Sequence, residues 1–405
     1  MHRDHRAMRG ARRRTPNRGT LLLASLTMSL GLATSTATAV EYTATVVATG
    51  LNSPRGLGQS TTDDGIWVAE AGFAGGGGPS TVVRGETITF NTSGSLTRIL
   101  NGTQQRLVTG LPSLYSSSTG QMEAGPNDVL MSYPGFPTAL IGAGINPALR
   151  TTDLAPVGGQ LGRLYTQVNC LPEFYNGDIS AHELAANPAG GPVDSNPFRM
   201  VDAGRAGGGF LVTDAGANAL LRISTAGVVS TVATFSERAF GSPRPTESVP
   251  TGVAVAADGT IYVSELTGVP FPTGAARIHR VLPDGTQSVF ATGFTMLIDI
   301  GLDADGSLLA LEYDTNGLFA PGSAGALWRL DAAGGRSLVW SDGLVQPTGL
   351  HVARDGSIYI SNFGNGAGLG QVLRVSPVPE AGTQALTLLG LGLMGVAARL
   401  KRRAR

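Results

Sequence analysis

Short runs in which apolar residues alternate with small or polar ones, each closed by a Gly-bearing turn, dominate the chain. A period of two is the mark of strands buried on one side. Four stretches read strand, Asp-Gly, strand: 54–69, 251–264, 297–311 and 347–361, with turns at Asp64-Gly65, Asp258-Gly259, Asp305-Gly306 and Asp355-Gly356. Asp-Gly between alternating runs predicts a type I′ hairpin, whose two central residues need positive φ. Looser copies occupy 126–141, around Pro134-Gly135, and 197–213, around Gly207-Gly208-Gly209. A second hairpin follows in each unit, most plainly 276–282 and 287–293 around Asp284-Gly285. Its counterparts are 95–100 with 105–110, 219–224 with 228–234, and 326–331 with 336–343. Four antiparallel strands per unit, repeated every 47 to 72 residues, predict an all-β fold, a six-bladed β-propeller of four-stranded antiparallel blades.

Six inner hairpins exist, but the sixth unit ends at Val375 without an outermost strand. The segment 44–51, A-T-V-V-A-T-G-L, matches the outer strands 287–294 (Q-S-V-F-A-T-G-F) and 105–111 (Q-R-L-V-T-G-L). Pairing it with the sixth blade would close the ring and remove two exposed sheet edges. The outer strands of the second unit, near 161–168, match the repeat least.

With strands named a to d outward from the axis, the a–b and c–d turns are short and share one face. The long insertions, 71–94, 142–159, 169–194, 236–250, 267–275 and 313–325, all fall on the other. Loops gathered on one face of a rigid scaffold are where binding usually resides. That face also collects a polar column in register at the ends of the b strands: Glu70, Asp214, Glu265, Glu312 and Asn362. At the a-strand starts stand Asn127, Asp128, Asn196 and Asp299. Carboxylates around one mouth repel one another unless a cation or an arginine intervenes. Glu70, Asp214, Glu265 and Glu312 are therefore candidate ligands for Ca²⁺ or Mg²⁺, and Asn127, Asp128, Asn196, Asp299 and Asn362 a candidate ligand-binding rim. The alternative is that these groups bind strand-end amides or pair with Arg55 and Arg199.

Composition agrees with a turn-rich β protein: 58 Gly and 23 Pro in 405 residues weaken helix interiors. The formal net charge of zero hides an asymmetry, because residues 1–39 carry seven Arg and 379–405 carry five basic residues. Residues 40–378 hold 17 basic against 27 acidic residues and no Lys. An acidic body excludes a nucleic-acid partner and suits a cation or cationic partner. The single cysteine, Cys170, excludes an intramolecular disulfide. It is read as a partly buried small apolar residue, with a free thiol or an intermolecular bridge as alternatives. No G-x-S-x-G, H-E-x-x-H or P-loop is present, so nucleophilic hydrolysis, zinc proteolysis and nucleotide use lack support. His279 and His351 fall in strands as structural residues. His182, on the insertion face beside Glu183, is a candidate base.

The ends read as addresses. Residues 1–39 form a signal peptide for signal peptidase: an Arg-rich start, an apolar run at 21–32, and the cleavage pattern Ala37-Thr38-Ala39. The propeller spans 40–376. Residues 377–405 hold Val378-Pro379-Glu380-Ala381, an apolar segment at 385–398, and a basic finish. They resemble the PEP-CTERM sorting tail, with Ala381 in place of the usual second Pro. The resemblance implies an exosortase partner, a transmembrane helix giving transient membrane association, and release or attachment at the surface of a Gram-negative bacterium. The body resembles NHL-type propellers and, more closely, the ScyD/ScyE family. The likeness rests on L-N-S-P-R-G-L at 51–57, V-A-E-A-G at 68–72, V-T-G-L-P-S-L at 108–114, G-P-N-D-V at 125–129, D-S-N-P-F at 194–198, D-A-G-A-N-A-L-L-R at 214–222 and E-L-T-G-V-P-F-P-T-G-A-A-R-I at 265–278. It implies a propeller and export, and carries over no catalytic residue. The leading expectation is a non-enzymatic envelope or matrix protein that binds a ligand, glycan or protein through its long-loop face. The alternative is a divalent-metal-dependent, lactonase-like hydrolase.

Overall fold

A computed structural model describes residues 40–133, 136–166, 174–204, 208–240, 245–322 and 324–378. The signal peptide, Cys170, the Pro134-Gly135 turn and the apolar segment 385–398 lie outside the described residues. Among those described, no helix is long and apolar enough to cross a membrane.

Six antiparallel sheets form from consecutive segments. Their innermost strands are Pro54–Gln59, Pro126–Tyr133, Pro197–Asp202, Pro250–Val255, Leu297–Leu302 and Gly349–Val352. Each innermost strand packs against those of the two neighbouring blades, and the first packs against the sixth. The fold is a closed six-bladed propeller. Closure comes from the amino-terminal strand Tyr42–Leu51, which pairs antiparallel with Gly370–Pro377 and is the outermost strand of blade six.

Burial grades outward from the axis, and residue choice follows it. The second strands Ile66–Glu70 and Leu308–Glu312 are buried at every position. The outermost Arg336–Trp340 is exposed or half-buried throughout. Hydrophobic clusters sit between neighbouring blades: Leu140, Leu164, Met200 and Leu221 join blades two and three, and Ala254, Ile278, Ile300 and Leu330 join four and five. Ala48 and Leu51 of the closing strand pack with Leu57, Val68 and Val372 at the sixth-to-first junction.

Three local expectations change. The Asp-Gly turns at 258–259, 284–285, 305–306 and 355–356 are type I turns followed by one left-handed glycine, not type I′. Gly259, Gly285, Gly306 and Gly356 have φ between 79° and 89°, whereas the aspartates stay at negative φ. Each aspartate instead accepts a hydrogen bond from the backbone N–H two residues on, at 2.8–2.9 Å. The side chain thus holds the turn, and only glycine need be left-handed. Insertion 71–94 is largely sheet: Glu86–Leu100 and Thr103–Ser116 run far past the blade, and Ser80–Val83 pairs on their side. Insertion 169–194 supplies the outermost strand of blade two, Phe174–Asp178, and then the helix Ile179–Ala186. His182 is therefore helical, with Nε2 2.9 Å from Thr231 Oγ1.

Candidate ligand-binding face

The five residues at the b-strand ends act as anchors for the chain entering their own blade. Glu70 accepts from Asn52 N–H at 2.6 Å, Asp214 from Asn196 N–H at 2.6 Å, Glu312 from Thr295 N–H at 2.6 Å and Asn362 from Val345 N–H at 2.8 Å. Glu265 takes the hydroxyl of Ser248 at 2.8 Å. In each case the partner lies 17 or 18 residues earlier, so the register that singled these residues out repeats as a latch. The remaining oxygen of Asp214 takes the Ser195 hydroxyl, and arginines or a tryptophan bond the other three carboxylates. Arg106 is bidentate on Glu70, Arg238 and Arg277 both reach Glu265, and Trp328 Nε1–H donates to Glu312.

Their electrostatics follow from those partners. Burial alone would raise Glu265, but the bonds from His279 (2.7 Å) and Arg277 hold it at about 2. Burial raises Asp214 to about 6 against its bond from Ser195, and raises Glu312. As a set the four carboxylates do not fit one shared divalent ion, since each is bonded to donors of its own. Among the described residues, no group of three or more His, Cys, Asp or Glu side chains stands where it could hold a metal.

Asp128 and Asp299 lie deeper, on the axis. They are the third residues of the inner strands of blades two and five; Gly56, Arg199 and Gly252 are the third residues in blades one, three and four, and Gly349 opens the inner strand of blade six. Asp128 accepts Met200 N–H of blade three at 2.8 Å, and Asp299 accepts Leu350 N–H of blade six at 2.9 Å. Each aspartate thereby ties its blade to the next. Where glycine stands, neighbouring strands approach too closely for a side chain: a Cβ on Gly56 would lie 1.9 Å from Asp128 Oδ1. Arg199 bridges the axis. Its Nε donates to Asp299 at 2.9 Å, Nη1 to the Asn127 carbonyl at 2.7 Å, and Nη2 to the Thr348 carbonyl. Burial raises Asp299 against the opposing arginine, and brings Asp128 to about 7. Asn127 and Asn196 meet above this bridge, with Nδ2 of the first 3.3 Å from Oδ1 of the second. Arg199 thus has the pairing role expected of it. Arg55 instead reaches the Met122 carbonyl at 3.1 Å.

A cleft of about 500 Å³ opens on the long-loop face. Segments from five of the six insertions line it, with Arg84, Gly144, Asp194, Glu237, Glu247, Thr267 and Phe271 among them, and Glu123 and Asn196 beside them. Four carboxylates thus face one guanidinium, Arg84, which is exposed and pairs with Asp194 at 2.7 Å. Burial raises Glu123, Asp194 and Glu247 above the ordinary carboxylate range. Val249, Leu266, Val269 and Phe271 supply an apolar wall. Phe73, Phe240, Val269, Leu318 and Phe319 stand exposed on the insertions, and Phe319 lies 6.3 Å from Phe271 of the cleft wall between ring centroids.

The sequence register found the anchors rather than the cleft acids, yet the two are chain neighbours. Asp194 precedes Ser195, whose hydroxyl donates to Asp214 at 2.7 Å. Glu247 precedes Ser248 and Glu237 precedes Arg238, both held by Glu265. Glu123 follows Met122, held by Arg55. Of the residues expected at the rim, Asn196 alone lines the cleft. Asp194, Glu237 and Glu247 lie in irregular insertions with no repeat counterpart, so periodicity carried no signal for them.

Residues 377–403 match the PEP-CTERM protein-sorting motif. Comparison with the curated proteins gives no match. Among solved structures, the chain is similar to a streptogramin B lyase at 10% identity, covering 83% of this chain and 98% of that one, with a TM-score of 0.44. A luciferin-regenerating enzyme is similar at 9% identity, with 84% and 96% covered and a TM-score of 0.46. The PQQ-bound aldose sugar dehydrogenase of Streptomyces coelicolor is similar at 14% identity, with 84% and 99% covered and a TM-score of 0.45. The propeller assignment rests on the sheet order itself. The sorting motif marks the chain for export, exosortase processing and cell-surface sorting in a bacterium.

Proposed function

We propose that this is a non-enzymatic propeller of the ScyD/ScyE type, displayed on the envelope or in the matrix of a Gram-negative bacterium, that binds a ligand through its long-loop face. The observation supporting this reading is the 500 Å³ cleft, in which four carboxylates and one arginine meet an apolar wall. Such a lining selects a ligand carrying a positive group on an apolar body: an amine, or a basic side chain of a glycan- or protein-borne partner. Raised carboxyls gain from a cation that restores their charged form.

The test is calorimetric titration of the full-length chain with phenethylamine and with phenylacetate, matched in size and opposite in charge. The amine binds, its affinity falls with added salt, and the double substitution Glu123→Gln, Glu247→Gln weakens it about tenfold or more, a loss of ~1.4 kcal/mol. Equal binding of the two probes, or none, removes the reading. Metal analysis of the same preparation tests the hydrolase alternative: stoichiometric Ca²⁺ or Mg²⁺, lost in Glu265→Gln, would put that reading in its place.

A further inference from the structure

The apolar wall of the cleft does not stop at its rim. Val269 and Phe271, both in the blade-four insertion, line the cleft, and the Phe271 ring lies 6.3 Å from that of Phe319 in the blade-five insertion. The backbones of the two insertions also approach closely: a Cβ on Gly317 would lie 3.6 Å from the Phe271 carbonyl oxygen. Leu318 and Phe319 are the central residues of a tight turn, closed by the Ala320 N–H on the Gly317 carbonyl at 2.9 Å. Glycine, proline, asparagine, aspartate and serine dominate such positions, whereas here two large apolar side chains stand in water. Phe319 is 72% exposed, Val269 71% and Leu318 42%. Single apolar residues scattered over a surface need no explanation, but a contiguous shelf that continues a cleft marks an interaction site.

The shelf is fixed relative to the acids. Gly268 N–H donates to the Glu247 carbonyl at 3.0 Å and Thr267 N–H to the Ser248 carbonyl at 3.1 Å. The segment bearing Val269 and Phe271 is thereby tied to the one bearing Glu247. Thr267 and Phe271 hold left-handed backbone, with φ of 72° and 58°, a strained conformation that the surrounding bonds must impose. Of the four cleft carboxylates Arg84 offsets one, so the cleft calls for a positive group. A membrane surface does not fit. Gly370–Pro377 starts at the long-loop face and ends at the short-turn face, where Pro377 pairs with Tyr42. The chain therefore leaves toward its sorting tail on the side opposite the shelf. An amino sugar carries the charge, but its hydroxyls would lose hydration against Val269, Leu318 and Phe319. A polypeptide segment supplies both parts: a lysine or arginine and, close to it in sequence, a large apolar side chain.

Resting on the reading of the cleft as a cation site, we propose that the cleft and its shelf together form a docking site for a polypeptide. A basic side chain enters among Glu123, Asp194, Glu237 and Glu247, while a neighbouring large apolar side chain lies on Val269, Leu318 and Phe319.

The test is calorimetric titration of the full-length chain with three acetylated, amidated pentapeptides, GFKFG, GGKGG and GFEFG, and with a glucosamine trimer. GFKFG binds about tenfold or more tighter than GGKGG, the worth of burying one phenyl ring, and GFEFG does not bind. Leu318→Ser with Phe319→Ser, both at exposed turn positions, brings GFKFG to the affinity of GGKGG with an unchanged melting temperature. Binding of phenethylamine and GGKGG with no gain for GFKFG overturns the docking site and leaves the cation cleft standing. A GFKFG preference that survives the double serine variant overturns the docking site too, as does tighter binding of the glucosamine trimer than of GFKFG. Binding of GFEFG equal to that of GFKFG, or no binding of phenethylamine or any peptide, instead removes the cation cleft, and the docking site with it.

Discussion

Arg199 shows how one side chain organises the axis. It is buried and bonded to groups of blades two, five and six, so removing it strands the Asp299 carboxylate beside Asp128 in a dry environment. Breaking one partner of a buried ion pair costs ~3–5 kcal/mol. Arg199→Met should lose that much, read as a lowered urea midpoint, and Arg199→Met with Asp299→Asn should recover part of it. Glu183 makes the converse case. It is 1% exposed, neither oxygen has a partner, and burial raises it to about 7 with Asp214 and Asp194 adding repulsion. A carboxyl raised in the folded state holds its proton there above the unfolded value of about 4.3. Its contribution is therefore full below that value and is lost as pH rises through 7. Glu183→Gln should leave stability unchanged at pH 4 and raise it at pH 8, by ~1–3 kcal/mol, in paired thermal melts. No spacing in the sequence announced Glu183. Its significance comes from burial without a partner, which only packing creates.

Elements were legible wherever the repeat was regular. The b-strand ends, the short turns and the closing strand all stand in register, and the structure places them there. The type of the turns was not legible from the dipeptide alone, because Asp-Gly satisfies both turn families. Hydrogen bonding from the residue two positions on decides between them. That residue is Thr260, Thr286, Ser307 or Ser357. Gly306 has φ of 82° and open space where a Cβ would go, so replacement there meets backbone strain and nothing else. Gly306→Ala should cost ~1 kcal/mol, measured by urea unfolding. Gly159→Ala, also with open space but outside the left-handed region, should cost less. The insertions resisted reading for the opposite reason. Glu86–Leu100 begins inside a stretch with no counterpart in the other blades, and its continuation depends on pairing with Thr103–Ser116 across many residues.

At the scale of the whole ring, closure decides how the molecule unfolds. Blade six takes three strands from the end of the body and one from its beginning, so Tyr42–Leu51 couples segments more than 300 residues apart. Ala48 and Leu51 add buried contacts at the sixth-to-first junction, and the Thr348 hydroxyl donates to the Pro54 carbonyl across the same seam at 2.6 Å. Deleting 42–51 while keeping the export leader leaves Gly370–Pro377 as an unpaired edge beside an uncovered apolar seam. An open edge of that kind invites pairing with another chain. The other five blade junctions remain intact, so the loss concentrates at blade six instead of spreading evenly. The intact ring should melt in one transition. The deletion should melt at lower temperature, with exchange of the Ile358–Asn362 and Gly370–Pro377 amides accelerated well before those of blades three and four, and it should form dimers or larger species in size-exclusion chromatography. Uniform acceleration across all blades would mean that the seam does not carry this separate share. Unchanged melting would mean that the amino-terminal strand is not the closure on which the ring depends.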